Sequence, residues 1–304
     1  MNKAPHVIPY QGSKRKLASS ILSYVNFNVD TLFEPFVGSG AITLAMAANG
    51  MANKYVVADK FEALAELWKM MVFSPELLIE EYTSLWNSQL TDPALFFNKT
   101  RDDFNTTKSP SALLYLIARC VKNAIRFNSN GDFNQGADHR RLGLKPEKLK
   151  KEVLRVSDLL RGVVDVHSCD FRESILNATE NDLIYMDPPW QGTSGKKDPR
   201  YAHLLNIDEL IAELQSLNKR NVPYMLSFDG SCGDKSYGKE LPNFLDLHKV
   251  QLNAGISSQA ILLGRNDVTI ESLYLSPAFM HKARESVSTS LGCLSEKLSL
   301  DMIA

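Results

Sequence analysis

Apolar and polar positions follow two different periods along this chain, and their order predicts a series of strands and helices. Short apolar runs typical of buried strands lie at 31–34, 54–58, 163–167, 182–186 and 222–228. Helical periodicity follows the first two of them, over residues 41–47 and about 61–72. Strands that alternate with helices in this way indicate a parallel sheet with helices on its faces.

The middle of the chain has a predominantly helical pattern. Three segments open on a proline, a residue accepted in the first turn of a helix, and they are Pro75–Trp86, Pro110–Ala124 and Pro146–Leu160. Between the last two lies Asn130-Gly131, flanked by Phe127 and Phe133, which is a typical signal for a β-hairpin. We therefore expect residues 74–161 to form a helical insertion that carries one hairpin.

The α/β pattern then returns and continues almost to the end of the chain. A helix is predicted over Ile207–Asn218 with Asn206 as its N-cap. Further strands are predicted at 245–250, 259–263 and 269–275. The Ser-rich stretch 280–304 is expected to lie outside the core. The prediction is thus one α/β domain, built from residues 1–73 and 162–279 and interrupted by the insertion.

Composition places the chain among soluble globular proteins. It has 304 residues, of which 44% are hydrophobic and 23% charged, enough for a sizeable core. No apolar run approaches the ~18 residues that span a bilayer, and the N-terminus lacks a signal-like stretch, so we expect a cytoplasmic protein. The 4 cysteines are scattered without a CxxC pair, which disfavours a zinc ribbon and a dithiol redox site.

Charge is balanced overall but uneven along the chain. The formal net charge of -1 argues against a general nucleic-acid coat protein. Residues 119–155 nevertheless hold ten Lys and Arg against four Asp and Glu. Such a block indicates a local site for a polyanion, although a solvated helix face explains Lys145–Arg155 at least as well.

Glycines and acids stand at the ends of the predicted strands, where parallel sheets bind ligands. Gly38 and Gly40 follow the first strand, and glycines there let a ligand approach the backbone closely. Asp59 ends the second strand, where an acid can hold a ribose diol, and Asp170-Phe171 ends a later one. Each also has an ordinary structural interpretation, a tight turn for the glycines and a helix cap for the acids.

The most informative motif is Asp187-Pro188-Pro189-Trp190, directly after the strand at 182–186. Two prolines stiffen the loop and remove two N–H donors, which leaves a carboxylate and carbonyl oxygens as acceptors beside an aromatic ring. Such a loop suits a planar group that bears an amine, because the group can be stacked and hydrogen-bonded at once. A rigid strand-end turn with a buried Trp remains the alternative for this motif alone.

In their order and spacing these motifs resemble those of the Dam-type, class alpha DNA adenine N6-methyltransferases. The resemblance covers about residues 7–277 and rests on Tyr10–Leu17, Phe33–Gly40, Asp59, Asn123–Asn134, Cys169–Phe171, Asp187–Trp190, Tyr201–His203 and Tyr224–Ser227. It implies a Rossmann-like, S-adenosylmethionine-dependent methyltransferase fold, in which the helical insertion with its β-hairpin is the target-recognition region. The methyl group is already activated in that cofactor, so positioning supplies most of the catalysis and no metal is required.

The resemblance also assigns roles to individual residues. Asp187 and the Pro188 carbonyl would accept hydrogen bonds from the target amine, with Pro189 shaping the loop and Trp190 stacking on an adenine flipped out of the duplex. The residues implied to bind S-adenosylmethionine are Tyr10, Lys14, Glu34, Phe36, Gly38, Gly40, Asp59, Asp170, Phe171 and Asp187.

Double-stranded DNA is the partner that the resemblance implies; a cognate restriction endonuclease and the oligomeric state stay open. The residues implied to contact DNA are Lys122, Asn123, Arg126, Asn128, Asn130, Arg140 and Arg141. We expect Arg126 to read a base edge and Arg140 and Arg141 to bind phosphate, since the three have few acidic neighbours in sequence. Two departures from the family pattern are Trp190, where Tyr or Phe is usual, and Ser13, where Gly is usual.

Three other functions compete with this one. An RNA adenine methyltransferase also uses Asp-Pro-Pro-Trp, but there the catalytic loop most often precedes the cofactor loop, whereas here it follows. A nucleotide- or DNA-binding module without catalysis is disfavoured by the intact Asp187 and the paired glycines. A dinucleotide dehydrogenase would need a third glycine at position 43, which is Thr.

Overall fold

One mixed sheet forms the centre of the protein. The structure, a computed structural model, describes residues 2–189, 205–232, 235–237, 241–256 and 268–288. The strands of the sheet are β1 Thr31–Glu34, β2 Lys54–Ala58, β3 Val164–His167, β4 Leu183–Met186, β5 Tyr224–Cys232, β6 Lys235–Tyr237, β7 His248–Ile256 and β8 Val268–Leu275. Their order is β3-β2-β1-β4-β5-β8-β7, with β6 paired to β5 outside this path.

The sheet is parallel from β3 to β5 and antiparallel beyond. In the parallel part Phe33 lies opposite Val56 on one side and Ile184 on the other. β8 runs antiparallel to β5, and β7 runs antiparallel to β8 at the edge. The chain therefore reverses its direction of strand addition at β1, between β2 and β4, which is where such sheets bind ligands. This confirms the predicted α/β fold.

Helices cover both faces of the sheet. Their bounds are α1 Ala18–Leu22, α2 Ala41–Ala48, α3 Glu62–Phe73, α4 Pro75–Ser88, α5 Pro93–Thr107, α6 Pro110–Arg119, α7 Pro146–Leu160, α8 Phe171–Ser174, α9 Ile207–Lys219 and α10 over 277–288. Short 3₁₀ turns lie at Lys14–Lys16, Val121–Asn123 and Asn243–Leu245. Among the described helices, none combines the length and apolar character needed to cross a membrane.

Local sequence explains where the helices of the insertion begin. α4, α5, α6 and α7 each carry a proline in their first turn, where its missing N–H has no intrahelical partner to lose. Asp92 caps α5 by accepting from Leu95 N at 3.0 Å. Ser109 caps α6 by accepting from Ala112 N at 3.4 Å. These caps satisfy backbone donors that a helix start leaves open.

Strand β4 shows why the sheet is covered on both sides. Leu183 and Tyr185 belong to a core on one face, whereas Ile184 and Met186 belong to a second core on the other face. All four side chains are fully buried. A run of apolar residues without alternation is typical of a parallel strand that has helices on both faces.

The insertion shares its core with the sheet. Tyr82, Phe97, Leu113 and Leu149 from α4–α7 belong to the same buried cluster as Leu32 of β1. α3 connects the two parts, since α4, α6 and α7 all pack on it. The insertion is therefore continuous with the α/β core. The boundaries at residues 74 and 161 mark a segment of the sequence and do not correspond to a break in the hydrophobic core.

Several predicted elements differ from the observed ones. α5 was not predicted, and α6 ends at Arg119 rather than at Ala124. The strand predicted at 245–250 is β7, which begins at His248, and the strand predicted at 259–263 lies outside the described residues.

The start of the predicted tail packs on the core. α10 includes Phe279, which is 1% exposed and makes an edge contact with Phe27 at 5.1 Å between ring centroids. Asn26 Nδ2 donates to Ala283 O at 3.0 Å. The expectation that the chain leaves the core at residue 280 is therefore wrong for residues 280–288, and that boundary falls inside a helix.

Candidate active site

The loops that follow β1, β2 and β4 meet at one edge of the sheet. Because these strands are parallel neighbours, the loop 35–40, Asp59 and Asp187 all emerge at their carboxyl ends. The strand order changes direction here, and sheets of this kind bind ligands in a crevice at such a point. The sequence-predicted site residues of the sheet are thus brought to a common edge.

The glycine loop after β1 needs glycine for conformation and for space. Gly38 and Gly40 adopt left-handed φ values of 47° and 61°, which favour glycine. A Cβ added to Gly40 would lie 2.3 Å from Cζ2 of the fully buried Trp68. Trp68 Nε1 also donates to Gly38 O at 3.1 Å. The indole of Trp68, in α3, therefore holds the glycine loop in place by a hydrogen bond and by close packing. No motif in the sequence indicated this role.

Asp59 ties the second strand to the glycine loop. Its Oδ2 accepts from Gly38 N at 3.3 Å, and its Oδ1 accepts from Phe61 N at 3.0 Å. Burial raises the pKa of Asp59 to about 6, with both hydrogen bonds opposing the shift. Asp59 is not the N-cap of α3, which is Phe61, so the ordinary interpretation as a helix cap is wrong. Its carboxylate holds the turn just before the helix and lies beside the loop that a ligand would approach.

Two aromatic rings that follow β1 and β3 stack on each other at the same edge of the sheet. Phe36 and Phe171 are stacked with ring centroids 5.3 Å apart and an interplanar angle of 27°. The neighbouring Asp170 is committed to other groups, since its Oδ1 accepts from Arg172 Nε at 2.8 Å and its Oδ2 from Lys60 Nζ at 3.2 Å. Hydrogen bonding from Arg172, despite opposing burial, lowers the pKa of Asp170 to about 2.

Asp187 is held by a lysine from the N-terminal segment. Lys14 Nζ lies 2.7 Å from Asp187 Oδ1 and 2.6 Å from Oδ2, and it also donates to Gly12 O at 3.1 Å. Lys14 is only 5% exposed. Burial raises the pKa of Asp187, and the positive charge of Lys14 opposes that shift. A second carboxylate, Glu271 of β8, has its Oε2 3.6 Å from the same Nζ.

Glu34 lies deeper than a ligand-binding acid would. Its Oε2 accepts hydrogen bonds from both the N–H and the hydroxyl of Thr43, so it joins the end of β1 to α2. Burial raises the pKa of Glu34 to about 8, against the opposing effect of the two Thr43 bonds. Tyr10 is half-buried, and its ring lies 3.8 Å from where a Cβ on Gly38 would be. Tyr10 therefore lies beside the glycine loop, whereas Glu34 holds together the two elements, β1 and α2, that flank the loop.

The predicted hairpin is present as a short turn in the insertion. Phe127 and Phe133 form a single antiparallel bridge, and Asn134 N donates to Arg126 O at 3.0 Å. Asn128 organises the turn, because its Oδ1 accepts from the backbone N–H groups of Asn130 and Asp132, each at 2.9 Å. Arg126 therefore stands at the base of the hairpin, not at its tip.

The expected DNA-contacting residues differ in how accessible they are. Lys122, Asn130 and Arg140 are exposed. The half-buried members are Asn123, Arg126, Asn128 and Arg141. Asn123 uses its amide internally, donating to Ile117 O at 2.8 Å and accepting from Arg141 at 3.1 Å. Asn123 and Asn128 therefore hold the backbone of the insertion in shape.

Arg140 and Arg141 were expected to have few acidic neighbours in sequence, but they share one as an ion-pair partner. Asp138 accepts from Arg140 Nε and Nη2, each at 2.9 Å, and its Oδ2 lies 3.3 Å from Arg141 Nε. Hydrogen bonding from Arg140 holds the pKa of Asp138 well below its usual range. The bidentate pair orients Arg140, whose side chain is 75% exposed, so its guanidinium is fixed at the surface.

A basic groove separates the N-terminal segment from the insertion. Its volume is about 250 Å³, and the charged or titratable side chains that line it are Lys3, His6, Arg15, Arg141, Lys148 and Glu152. Burial and the positive charges of Arg15 and Lys148 lower the pKa of His6 to about 4, with Glu152 opposing them. Arg15 follows Lys14 directly, so consecutive residues of one 3₁₀ turn serve the groove and the Asp187 site.

Comparison with known proteins adds a family to this geometry. A profile of the D12 class N6 adenine-specific DNA methyltransferases matches residues 10–256. The chain belongs to this family. The D12 profile covers the glycine loop, the insertion, the basic groove in large part and Asp187, so every sequence-predicted site residue lies within it.

The curated relatives of this chain differ from it in length. The DNA adenine methylase of Serratia marcescens is 25% identical over 222 residues, which are 71% of this chain and 77% of that protein. The type II methyltransferase M.FokI of Planomicrobium okeanokoites is 28% identical over 235 residues, 72% of this chain and 34% of that protein. The modification methylase StsI of Streptococcus sanguinis is 28% identical over 230 residues, again 34% of its length. The chain thus spans about a third of the last two relatives.

Sequence reasoning missed Trp68 and Glu271, which reach the site from α3 and β8. It also missed the hydrogen bond between Ser13 Oγ and Ser39 Oγ, 2.7 Å long, which links the N-terminal segment to the glycine loop. Ser13 itself was a signal, as the position where the D12-like pattern has Gly. Trp190 and the segment 201–203 lie outside the described residues.

Proposed function

We propose that this D12 family member transfers the methyl group of S-adenosylmethionine to the N6 amine of an adenine extruded from double-stranded DNA. The observation that carries the proposal is Asp187, a carboxylate that follows β4 at the edge of the sheet where the glycine loop follows the neighbouring β1. Pro188 and Pro189 follow it, so the loop presents acceptors and no N–H donors at these two positions.

The residues at the crevice fit S-adenosylmethionine. Gly38 and Gly40 let a ligand approach the backbone, and Asp59 lies beside them with an acceptor suited to ribose hydroxyls. Asp187 follows β4 at the same edge of the sheet, and its carboxylate charge suits a ligand that carries a sulfonium. When bound there, S-adenosylmethionine supplies an activated methyl group on that sulfonium.

The protein contributes position and hydrogen-bond acceptors. Asp187 would accept a hydrogen bond from the adenine amine, and the Pro188 carbonyl a second, which together aim the nitrogen lone pair toward the methyl donor. A base stacked inside a duplex cannot bring its amine to a carboxylate that is largely buried, so extrusion is required. The stacked Phe36 and Phe171 would hold the adenine of the cofactor on the other side of the crevice.

The insertion and the basic groove form the proposed DNA face. The groove adjoins the site through Arg15 and Lys14, and the backbone bond from Gln11 N to Asn123 O, 3.0 Å, joins the N-terminal segment to the insertion there. With a net charge of -1 for the whole chain, attraction to DNA must be local, and the groove concentrates cations. We place the hairpin tip near base pairs, and Arg140 and the groove on phosphates.

The family assignment favours DNA over RNA as the substrate. Relatives named type II methyltransferase or modification methylase favour a restriction–modification setting, with a cognate endonuclease as partner.

Tritium transfer from labelled S-adenosylmethionine to duplex DNA, single-stranded DNA and RNA tests the function. Asp187→Ala should lower transfer to duplex DNA by about 100-fold or more, because the amine loses its acceptor. Asp187→Asn is the matched variant, since it keeps the size and one oxygen but adds an N–H₂ that opposes the amine. Near-normal transfer by Asp187→Ala, or equal transfer to RNA and duplex DNA, would contradict the proposal.

A further inference from the structure

Lys14 already donates hydrogen bonds to Asp187, the carboxylate that the proposed reaction needs as an acceptor for the target amine. Its ammonium lies within 2.7 Å of both oxygens of Asp187. An amine that approached Asp187 in this arrangement would find both oxygens already engaged by a cation. A productive complex therefore requires Lys14 to yield part of its contact with Asp187, and the charge of Lys14 must then be balanced elsewhere.

Glu271 is placed to receive that charge. Its Oε2 is fully shielded from solvent and has no hydrogen-bond partner among the described residues. It lies 3.6 Å from Lys14 Nζ, beyond hydrogen-bond distance but within ion-pair range. A buried carboxylate oxygen without a hydrogen bond is costly, so Glu271 gains from any approach of the ammonium.

We infer that Glu271 is a positioning residue that takes Lys14 over from Asp187 when the target amine arrives. This inference rests on the proposed function, because the amine is what displaces the lysine. Nζ needs to move by less than about 1 Å to reach the 2.7–2.9 Å of a charge-assisted hydrogen bond with Oε2. Only hydrogen bonds are exchanged: the ammonium keeps its three protons, and no covalent bond forms or breaks.

The backbone around Lys14 allows this exchange. Gly12 O, which accepts from Nζ at 3.1 Å, belongs to the same short segment as Lys14 and can remain its acceptor while Nζ moves. Glu271 comes from β8, whose neighbour β5 is also the neighbour of β4, so the two carboxylates face Lys14 from nearby strands of one sheet. A lysine between two such carboxylates has two alternative partners.

A double-mutant cycle on the methylation rate tests whether Glu271 acts through Lys14. In the wild-type background Glu271→Gln should slow single-turnover methylation roughly tenfold, a coupling typical of residues in contact. In a Lys14→Met background the same change should alter the rate by less than about twofold, because the residue it acts through is gone. Glu271→Gln alone should leave the dissociation constants for S-adenosylmethionine and for duplex DNA within about twofold of wild type, so that the change lies in the methylation step.

Asp229 provides the matched control. It is also a buried carboxylate of this sheet, but it is held by Tyr274 and by Lys249 at 3.2 Å. Asp229→Asn should therefore change the rate by the same factor in both Lys14 backgrounds. Equal factors for Glu271→Gln in the two backgrounds, or a wild-type rate for Glu271→Gln, would overturn the inference.

A second measurement reads the exchange without any methylation. Asp187→Asn removes the charge that holds Lys14, so the coupling between Lys14 and Glu271 in urea unfolding should at least double in that background. An unchanged or smaller coupling would overturn the inference. The unfolding measurement needs no substrate. If the protein methylated nothing, only the proposed function would be refuted, and the unfolding result would still decide whether Glu271 and Lys14 are coupled as inferred.

Discussion

Replacing Gly40 by alanine should destabilise the protein more than the same change at Gly50. The two glycines flank α2, and both have φ of 61°. A Cβ at Gly40 would lie 2.3 and 2.4 Å from two ring carbons of Trp68, whereas a Cβ at Gly50 would meet no atom within 4 Å. The pair therefore separates the cost of the left-handed backbone from the cost of the contact.

The magnitude follows from these two contributions. A left-handed non-glycine residue costs about 1–2 kcal/mol, which both variants share. Overpacking a filled core costs a further 1–3 kcal/mol or so, which applies to Gly40→Ala alone. Trp68 cannot move away cheaply, because it is fully buried and its Nε1 donates to Gly38 O. We expect Gly40→Ala to lose about 2–5 kcal/mol and Gly50→Ala about 1–2 kcal/mol.

Urea unfolding followed by fluorescence and circular dichroism measures both losses. The melting temperature should fall by about 2–4 °C per kcal/mol in a protein of this size, so the two variants should differ clearly. Equal losses for Gly40→Ala and Gly50→Ala would refute the reasoning, since they would mean that the Trp68 ring does not limit the space at Gly40. A Gly40→Ala variant that regained stability with Trp68→Phe would support it.

Two further predictions concern ligands. Because burial raises the pKa of Asp59 to about 6 and ribose hydroxyls need the ionised acceptor, affinity for S-adenosylmethionine should fall as pH drops below 6. Titration calorimetry at several pH values should show that log Kd depends on pH with a slope one proton smaller in Asp59→Asn, whereas an equal slope would mean that Asp59 only holds the turn before α3. Arg15→Ala and Lys148→Ala should each weaken duplex binding for all sequences alike and reduce by about one the slope of log affinity against log salt concentration. Lys150→Ala, on α7 like Lys148 but not among the residues that line the groove, should change neither quantity. Identical slopes for all three variants would place DNA on another face.

Much of the fold could be predicted because its signals are local. The apolar runs of β1, β2 and β4 and the prolines that open α4, α6 and α7 are visible in short windows of sequence. α5 was not predicted because its helical pattern of apolar residues is weak. Only three of its residues are buried, namely Phe97, Thr100 and Phe104. Asp92 and Pro93, a cap followed by a first-turn proline, were the available signal.

The end of α6 could not be predicted from its own residues. Apolar residues continue past Arg119, but Lys122 and Asn123 turn into the left-handed region with φ of 59° and 52°. That turn is stabilised from a distance, by Gln11 N donating to Asn123 O and by Arg141 donating to the Asn123 side chain. Tertiary contacts therefore override a helical period that has no local reason to stop.

The site was predictable where motifs lie in one loop and not where distant segments meet. Asp187 and the glycines follow strands, and topology alone brings them together. Trp68 and Glu271 stand in an ordinary helix and strand, and only three-dimensional packing places them against Gly40 and Lys14. Nothing in the period of either element distinguishes these two residues from their neighbours.

The way the hairpin is held has a consequence for how such a protein could change what it reads. Its turn is maintained by the Asn128 side chain, and the adjoining strand by Asn105, which both donates to and accepts from the backbone of Phe133. Ser129 and Asn130 lie at the exposed tip. Among these bonds Asn130 contributes only its backbone N–H, and Ser129 takes no part. Substitutions at these two positions would alter the surface offered to a base without removing a bond that shapes the turn, so recognition can diverge while the scaffold is inherited unchanged.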